Sequence, residues 1–566
     1  MYECPNCAAN LKFDIARQKL YCMHCDTTVD PYHFQKDKDA EEQVLPEHEG
    51  DYEVTVFTCP QCGGEIISED VTAATFCSFC GGATILDSRI SRERRPEIII
   101  PFQKTKEDCK NAYIKMMRRA IFAPSELKDE LYIQKFRGIY MPYWVYDFEK
   151  KGPAVFLGNQ SQRDGEDILT IHYELHCDVD EEYKGIAYDA SASFSDNLSA
   201  AIAPFDMKAV KPFTPSFLSG FYADTNDVEK DLYWEDAIET VTQNAADRLA
   251  GSPDCAAYEM SGEKYREAVK NAVRPEKTTV RLALLPVWFL SYRKDDRVVY
   301  AAVNGQTGKA VADLPVDPKK YLASSFLFTV PIFILLNMFF TVTPVKILLI
   351  AAALALASAF LANRQMTHLL ARESHEDDKG IRTTQAWLNR HIQDEPESGE
   401  SRDIKIRFGN SEKVGIKDWF KDVLLTVGLA LIILITQMAA RGFGRGMQIV
   451  IRMGILWMVC LVVQYVLFSD SAKAFRKFRV RRRAFAKKMN YTGNLEEKLT
   501  TLLKPLLGVF IAIFILMLHP IYDWIYYIGA CACMGTVLWS FVDLIKHHNR
   551  LSTRELPQFN IRGGDM

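Results

Sequence analysis

The stretches 1-MYECPNCAANLKFDIARQKLYCMHC-25 and 59-CPQCGGEIISEDVTAATFCSFCGG-82 each carry two C-x-x-C pairs fourteen residues apart, and the second set repeats the first at an offset of 55. A C-x-x-C turn puts two thiolates on one side of a tight loop, so two such turns supply a tetrahedral four-sulfur shell for Zn²⁺. The expected ligands are Cys4, Cys7, Cys22 and Cys25 in one ribbon and Cys59, Cys62, Cys77 and Cys80 in the other. Four sulfurs close the shell, so both zinc ions are structural and leave no position for catalysis. Segments this small bury too little apolar surface to fold alone, and zinc supplies most of their folding free energy.

Gly63-Gly64 and Gly81-Gly82 follow the second ribbon's pairs, where positive φ lets backbone N–H groups face sulfur; the first ribbon has Ala8 and Asp26 there. His24 lies between two ligands, but the intact cysteine set leaves it no role in the shell. Thioredoxin-like redox chemistry needs a lone C-x-x-C opening a helix, which four pairs in register do not match. Eight of the fourteen cysteines fall in these pairs, and thiols so arranged belong to a reducing compartment.

Downstream, 96–320 reads as a mixed α+β cytoplasmic domain. A short strand is expected at 98–103, a helix over 105–123 stopped by Pro124, and a second helix over 231–251 ending at Gly251. A weak internal repeat relates 142-PYWVYDFEKKGPAVFLGNQ-160 to 286-PVWFLSYRKDDRVVYAAVNGQ-306, each reading as a hairpin, with the Asn-Gly of 304-NGQTGK-309 closing one. The aromatics Tyr140, Tyr143, Trp144 and Trp288 are expected to pack in half-buried strands. His172 and His176 fall on one face of an alternating strand without a third ligand. The domain lacks G-x-S-x-G, H-E-x-x-H and a dinucleotide fingerprint, and 304–309 lacks the glycine and hydroxyl of a P-loop, so no enzyme is expected.

Leu322–Val342 is twenty-one residues without a charge, the length of a membrane-spanning helix. Further candidates are 345–362, 423–440, 447–468, 505–518 and 525–542, giving an all-α transmembrane bundle of about six helices. The expected order is zinc ribbon 1 at 1–40, ribbon 2 with its linker at 41–95, the α+β domain at 96–320, and membrane hairpins at 321–363, 418–469 and 504–545. Cytoplasmic segments fall at 364–417, 470–503 and 546–566. The run 473-KAFRKFRVRRRAFAKK-488 has nine Lys or Arg and no acid; positive-inside logic puts it, and both termini, in the cytoplasm of a multi-pass cell-membrane protein. Its interleaved phenylalanines suit anionic lipid as well as a topology signal. A net charge of −4 argues against bulk electrostatic binding of nucleic acid.

The eight ribbon cysteines, 139-IYMPYWVYD-147, 215-PSFLSGFYA-223, 285-LPVWFLSY-292 and 303-VNGQTGKAVADLPV-316 resemble the membrane-anchored, transcription-factor-IIB-type zinc-ribbon proteins of Gram-positive bacteria. The resemblance covers about residues 1 to 340, and the doubled ribbon and extra spans depart from the short family pattern. It implies an adaptor module at the membrane, with a phage-shock-protein-A homologue or a flotillin-like protein as partner in an envelope-stress response. A zinc-binding scaffold recruiting cytoplasmic proteins is the leading expectation. A transporter or channel with a ribbon-bearing regulatory head is the second, and a nucleic-acid-associated ribbon protein the third.

Overall fold

The computed structural model describes residues 2–34, 50–68, 77–82, 86–164, 167–253, 277–294, 297–339, 343–373, 378–380 and 495–555, with scattered positions in 255–275 and 449–460. The chain divides into two compact units: Met1–Leu314, His375–Ala386 and Ser552–Met566 make the first, Pro315–Ser374 and Trp387–Leu551 the second.

The first unit opens with a three-stranded antiparallel sheet, β1 (Leu11–Asp14), β2 (Lys19–Cys22) and β3 (Thr28–Val29). A twelve-stranded mixed sheet follows, from β4 (Asp51–Thr58), β5 (Glu65–Ser68), β6 (Asp87–Arg94), β7 (Ile98–Ile99), β8 (Arg137–Asp164), β9 (Asp167–Asp189), β10 (Lys211–Pro212), β11 (Tyr222–Asp224), β12 (Lys277–Lys294), β13 (Arg297–Asn304), β14 (Ala310–Ala312) and β15 (Arg554–Glu555). Its main path runs β10-β7-β12-β8-β11-β5-β4-β6; β9 pairs with β8, β13 with β12, and β14 and β15 with β13. Strands β4, β5 and β6 belong to this sheet through β5 and β11, where Ser68 sits opposite Tyr222. The ribbon-to-domain boundary read at residue 95 therefore falls inside one continuous sheet.

The two repeat copies lie side by side, since β8 and β12 pair antiparallel with Leu284 opposite Pro142 and Leu282 opposite Trp144. Each then turns back in its own hairpin, β8 into β9 and β12 into β13. The tryptophans make equivalent bonds: Trp144 Nε1 donates to Val228 O at 2.8 Å and Trp288 Nε1 to Lys104 O at 2.9 Å. A buried indole N–H needs such an acceptor, and both tryptophans are buried with Tyr140 and Tyr143. The Asn-Gly turn closes the β13–β14 hairpin and not the 286–306 copy: Asn304 Oδ1 accepts from the backbone N–H of Gln306 and Thr307, both at 2.9 Å.

Helix α1 (Lys106–Arg119) begins at Thr105, whose hydroxyl accepts from Asp108 N while the Asp108 carboxylate accepts from Thr105 N, a reciprocal capping box. It ends four residues before the expected stop. Helix α2 (Asp196–Ile202) is capped by Ser195, and α3 (Trp234–Ala250) ends at Gly251 as the sequence indicates.

The second unit holds α4 (Pro318–Phe339), α5 (Pro344–Glu373), α6 (Leu495–Leu518) and α7 (Asp523–Ser552). Small residues allow close approach: a side chain at Gly508 would meet Thr536, and one at Gly529 would meet Ile515. Cys533 is buried and donates to Gly508 O at 3.0 Å, while Cys531 is exposed, so the pair packs in different directions as helical spacing requires. Two helical stretches among the described residues, Pro344–Met366 and Asp523–Arg550, are long and apolar enough to cross a membrane. That corrects the expected count of about six. Leu503–Leu518 in α6 and Ile449–Met458 are apolar but too short to cross about 30 Å of hydrocarbon, and 423–440 lies outside the described residues, as does 473–488. Helix α4 coincides with the first candidate as far as Phe339.

Candidate metal centres

All eight predicted ligands come together in their two predicted sets. In each, one sulfur from every cysteine lies within 4.8 Å of the other three, so each set can hold a metal ion. The four knuckles share one backbone pattern. The N–H of the first cysteine donates to the carbonyl five residues on, as in Cys4 to Ala9 and Cys59 to Gly64, and its own carbonyl accepts from the residue four on, as in Ala8 to Cys4 and Gly63 to Cys59. That closure turns the fourth residue into left-handed conformation: Gly63 at φ 71° and Gly81 at 69°, but Ala8 at 57° and Asp26 at 58°.

A side chain in that region costs about 1 kcal/mol relative to glycine, aspartate somewhat less. The first ribbon thus builds the same knuckle against strain that the second avoids. Ala8→Gly is expected to tighten metal binding at the first ribbon by about 1 kcal/mol, roughly fivefold. A competition titration against a zinc-binding dye reads the change; an unaltered or weaker affinity contradicts it.

The two centres differ in enclosure. Cys59, Cys62, Cys77 and Cys80 are all buried, whereas Cys7 and Cys25 are partly exposed. Cys59 and Cys80 sulfurs stand 3.9 Å apart and Cys62 and Cys77 3.7 Å, against 3.5 Å for both Cys4–Cys25 and Cys7–Cys22. Tetrahedral zinc with bonds of about 2.3 Å sets its sulfurs about 3.8 Å apart, so the donor set and spacing fit Zn²⁺, most closely in the second ribbon. With no cation, the buried sulfurs share protons: hydrogen bonding among them holds Cys59 far below the ordinary thiol range and pushes Cys62 far above it. Four thiolates this close ionise together only around a cation. In the first ribbon the Thr27 hydroxyl, 3.1 Å from Cys25 Sγ, brings that thiol down to about 6. His24 is exposed and outside the ligand set.

The stretch 215–223 seats the first ribbon and links it to the second. Phe13 N donates to Ser219 O at 3.0 Å, Ser219 Oγ to Leu11 O at 2.5 Å and Ser216 Oγ to Pro31 O at 2.7 Å, while the rings of Phe13 and Phe217 lie 5.3 Å apart. Immediately after, β11 pairs with β5 of the second ribbon and, on its other side, with β8. The second ribbon also packs on β12: Phe79 lies 6.3 Å from Phe289, and Arg293 Nη1 donates to Gln61 Oε1 at 3.2 Å.

Sequence reading missed a set of buried acids. Asp189, Asp196 and Asp378 are each about 95% buried, and Tyr233 OH donates to Asp196 Oδ1 at 2.6 Å. Burial and the two neighbouring carboxylates raise Asp189 well above the usual range. Lys379 enters the same group, its N–H donating to Asp196 Oδ2 at 3.2 Å and its ammonium pairing with Asp236. The segment 378–380 is a return of the chain to the first unit from within the expected 364–417 linker. Asp224, buried, accepts from the hydroxyls of Ser191, at 2.5 Å, and Ser193. The one hint of both groups is the run 189-DASASFSD-196, whose serines and aspartates sit where an apolar strand gives way to helix. His172 and His176 share an exposed face of β9 as expected; His172 Nδ1 is 2.6 Å from Asn159 Oδ1 and His176 Nε2 is 3.9 Å from Glu174.

No protein-family profile matches the chain, and no solved structure does. It is similar to a Bacillus subtilis (strain 168) protein described as uncharacterized protein YdjG, with 28% identity over 327 residues, which is 57% of this chain and 92% of that protein.

Proposed function

We propose that the chain is a non-enzymatic, zinc-bearing membrane adaptor: the ribbons and the twelve-stranded sheet recruit cytoplasmic proteins, and apolar helices that include Pro344–Met366 and Asp523–Arg550 hold the assembly at the inner face of the cell membrane. The observation that carries this reading is that all four sulfurs of each set come together, the first on its own three-stranded sheet and the second on the twelve-stranded sheet, which makes zinc a folding element and turns the ribbons into fixed surface features. The two membrane-length helices support the anchor. Proteins of the phage-shock-protein-A or flotillin type are the proposed partners, in keeping with the sequence resemblance.

Affinity purification of the full chain from mildly solubilised membranes tests the proposal. A reproducible cytoplasmic or membrane partner, lost when a strong zinc chelator strips the ribbons, is the expected result. Failure to recover any reproducible protein partner sinks it.

A further inference from the structure

Among the described residues β9 pairs with β8 alone, and its stretch Ile168–Asp178 is exposed or half-buried throughout. Natural sheets guard their edges with charge, proline or a covering element. The stretch 168-ILTIHY-173 has neither a charged residue nor a proline, and Ile168, Leu169 and Ile171 are 71%, 56% and 42% exposed. Leu169 and Ile171 share one face of the ribbon with Tyr173 and Leu175. Tyr173 packs on Tyr258 at 5.3 Å, and Leu175 crowds the position of a side chain at Gly158. The apolar stripe is thus covered at one end and bare at the other.

We infer that this edge is an interface with a second copy of the chain, in which the stretch Ile168–Asp178 pairs antiparallel with itself about a two-fold axis at Tyr173. The register follows from complementarity. It sets Ile171 opposite the second copy's Leu175, Leu169 opposite its Cys177, and Tyr173 opposite its own equivalent, so each bare end of the stripe meets a covered end. On the other face His172 stands opposite the second copy's Glu174, twice by symmetry, and Thr170 opposite its His176. No like charges meet between Ile168 and Asp178. Moving the axis one residue on puts Glu174 opposite itself; moving it one back separates His172 from Glu174. A two-fold interface of this kind is self-complementary and closed, which makes a dimer and stops there. The acidic run 178-DVDEE-182 repels further strands of the same kind.

The axis makes a sharp demand: only the residue on it faces its own equivalent, within the about 4.4 to 6.8 Å between Cα atoms that a disulfide spans. Full-length chain carrying Tyr173→Cys, oxidised in native membranes with diamide, is expected to give at least about tenfold more disulfide-linked dimer than the unaltered chain or Ile171→Cys, whose equivalents lie about 13 Å apart at about 3.3 Å per residue. His172→Glu is expected to cut the dimer fraction of detergent-solubilised chain about tenfold by opposing two carboxylates, and Glu174→Lys added to it to restore the dimer. Equal linkage at positions 171 and 173, an adduct with a different protein, or a dimer fraction unmoved by His172→Glu overturns the inference.

Discussion

Replacing Cys62 with serine is expected to unfold the first unit's main sheet as well as its own metal site. Structural zinc contributes on the order of 10 kcal/mol to the folding of small ribbons, comparable to the whole 5–15 kcal/mol stability of a typical domain. Cys62 is buried among three other buried sulfurs, and the strands its site holds, β4 and β5, lie in the twelve-stranded path next to β11 and β8. Losing one thiolate leaves three ligands that must share charge without a complete shell, and β5 loses the anchor that keeps it against Tyr222–Asp224. Cys7→Ser is the comparison, because its ribbon has a separate three-stranded sheet and a partly exposed ligand set. Zinc content should fall from about two to about one per chain in both variants, while rapid proteolysis of the sheet appears in Cys62→Ser only. Equal protease resistance in the two variants contradicts the ranking.

The second large effect is a dependence on pH set by Asp224. Burial raises its carboxyl to about 7 from the ordinary 3.8, against the stabilising bonds from Ser191 and Ser193. The folded chain therefore keeps a proton between about pH 4 and 7 that the unfolded chain has released. Stability from this group is greatest below about pH 4, declines as pH rises through that window and levels off above about 7, a total of about 4 kcal/mol at 1.36 kcal/mol per unit. Asp224→Asn removes the titration while keeping an oxygen to accept from a serine hydroxyl. In denaturant titrations the variant should match the natural chain near pH 4 and exceed it by a few kcal/mol at pH 8. Parallel curves at all pH values would show that the group does not titrate in this window.

The metal centres were legible because the chemistry of a four-sulfur shell is written into local spacing: each C-x-x-C is a four-residue turn, and in the first ribbon the pairs meet across the short β1–β2 hairpin. Helices α1 and α3 were legible from local pattern too, α1 through the helical spacing of apolar residues over 105–123 and α3 through Gly251 at its end, while the capping box at Thr105 emerged only in the structure. The partnership of the second ribbon with the rest of the sheet was hidden, since it depends on Ser68 meeting Tyr222, and periodicity in a window of ten residues carries no information about a pairing that distant. Lys379 was hidden more deeply. A lysine in a charged linker reads as solvated, and only the burial of Asp189 and Asp196 on a remote strand and helix gives it somewhere to go. The Asn304 turn was read correctly as chemistry and assigned to the wrong hairpin, because the turn motif identifies a reversal and not which strands it joins.

The first unit takes its residues from three separated parts of the chain, including Lys379 and the short strand β15, where Arg554 pairs with Val298 and Arg297 bonds Thr553. Synthesis runs from the N-terminus, so the sheet waits with its edge at β13 open until residue 555 has left the ribosome and the intervening apolar helices have found their place. A domain completed this late inherits the success or failure of every apolar helix made before it. Chain truncated after residue 314 is expected to carry the ribbons yet remain a substrate for proteolytic quality control, which couples abundance of the ribbon-bearing unit to completion of the chain behind it.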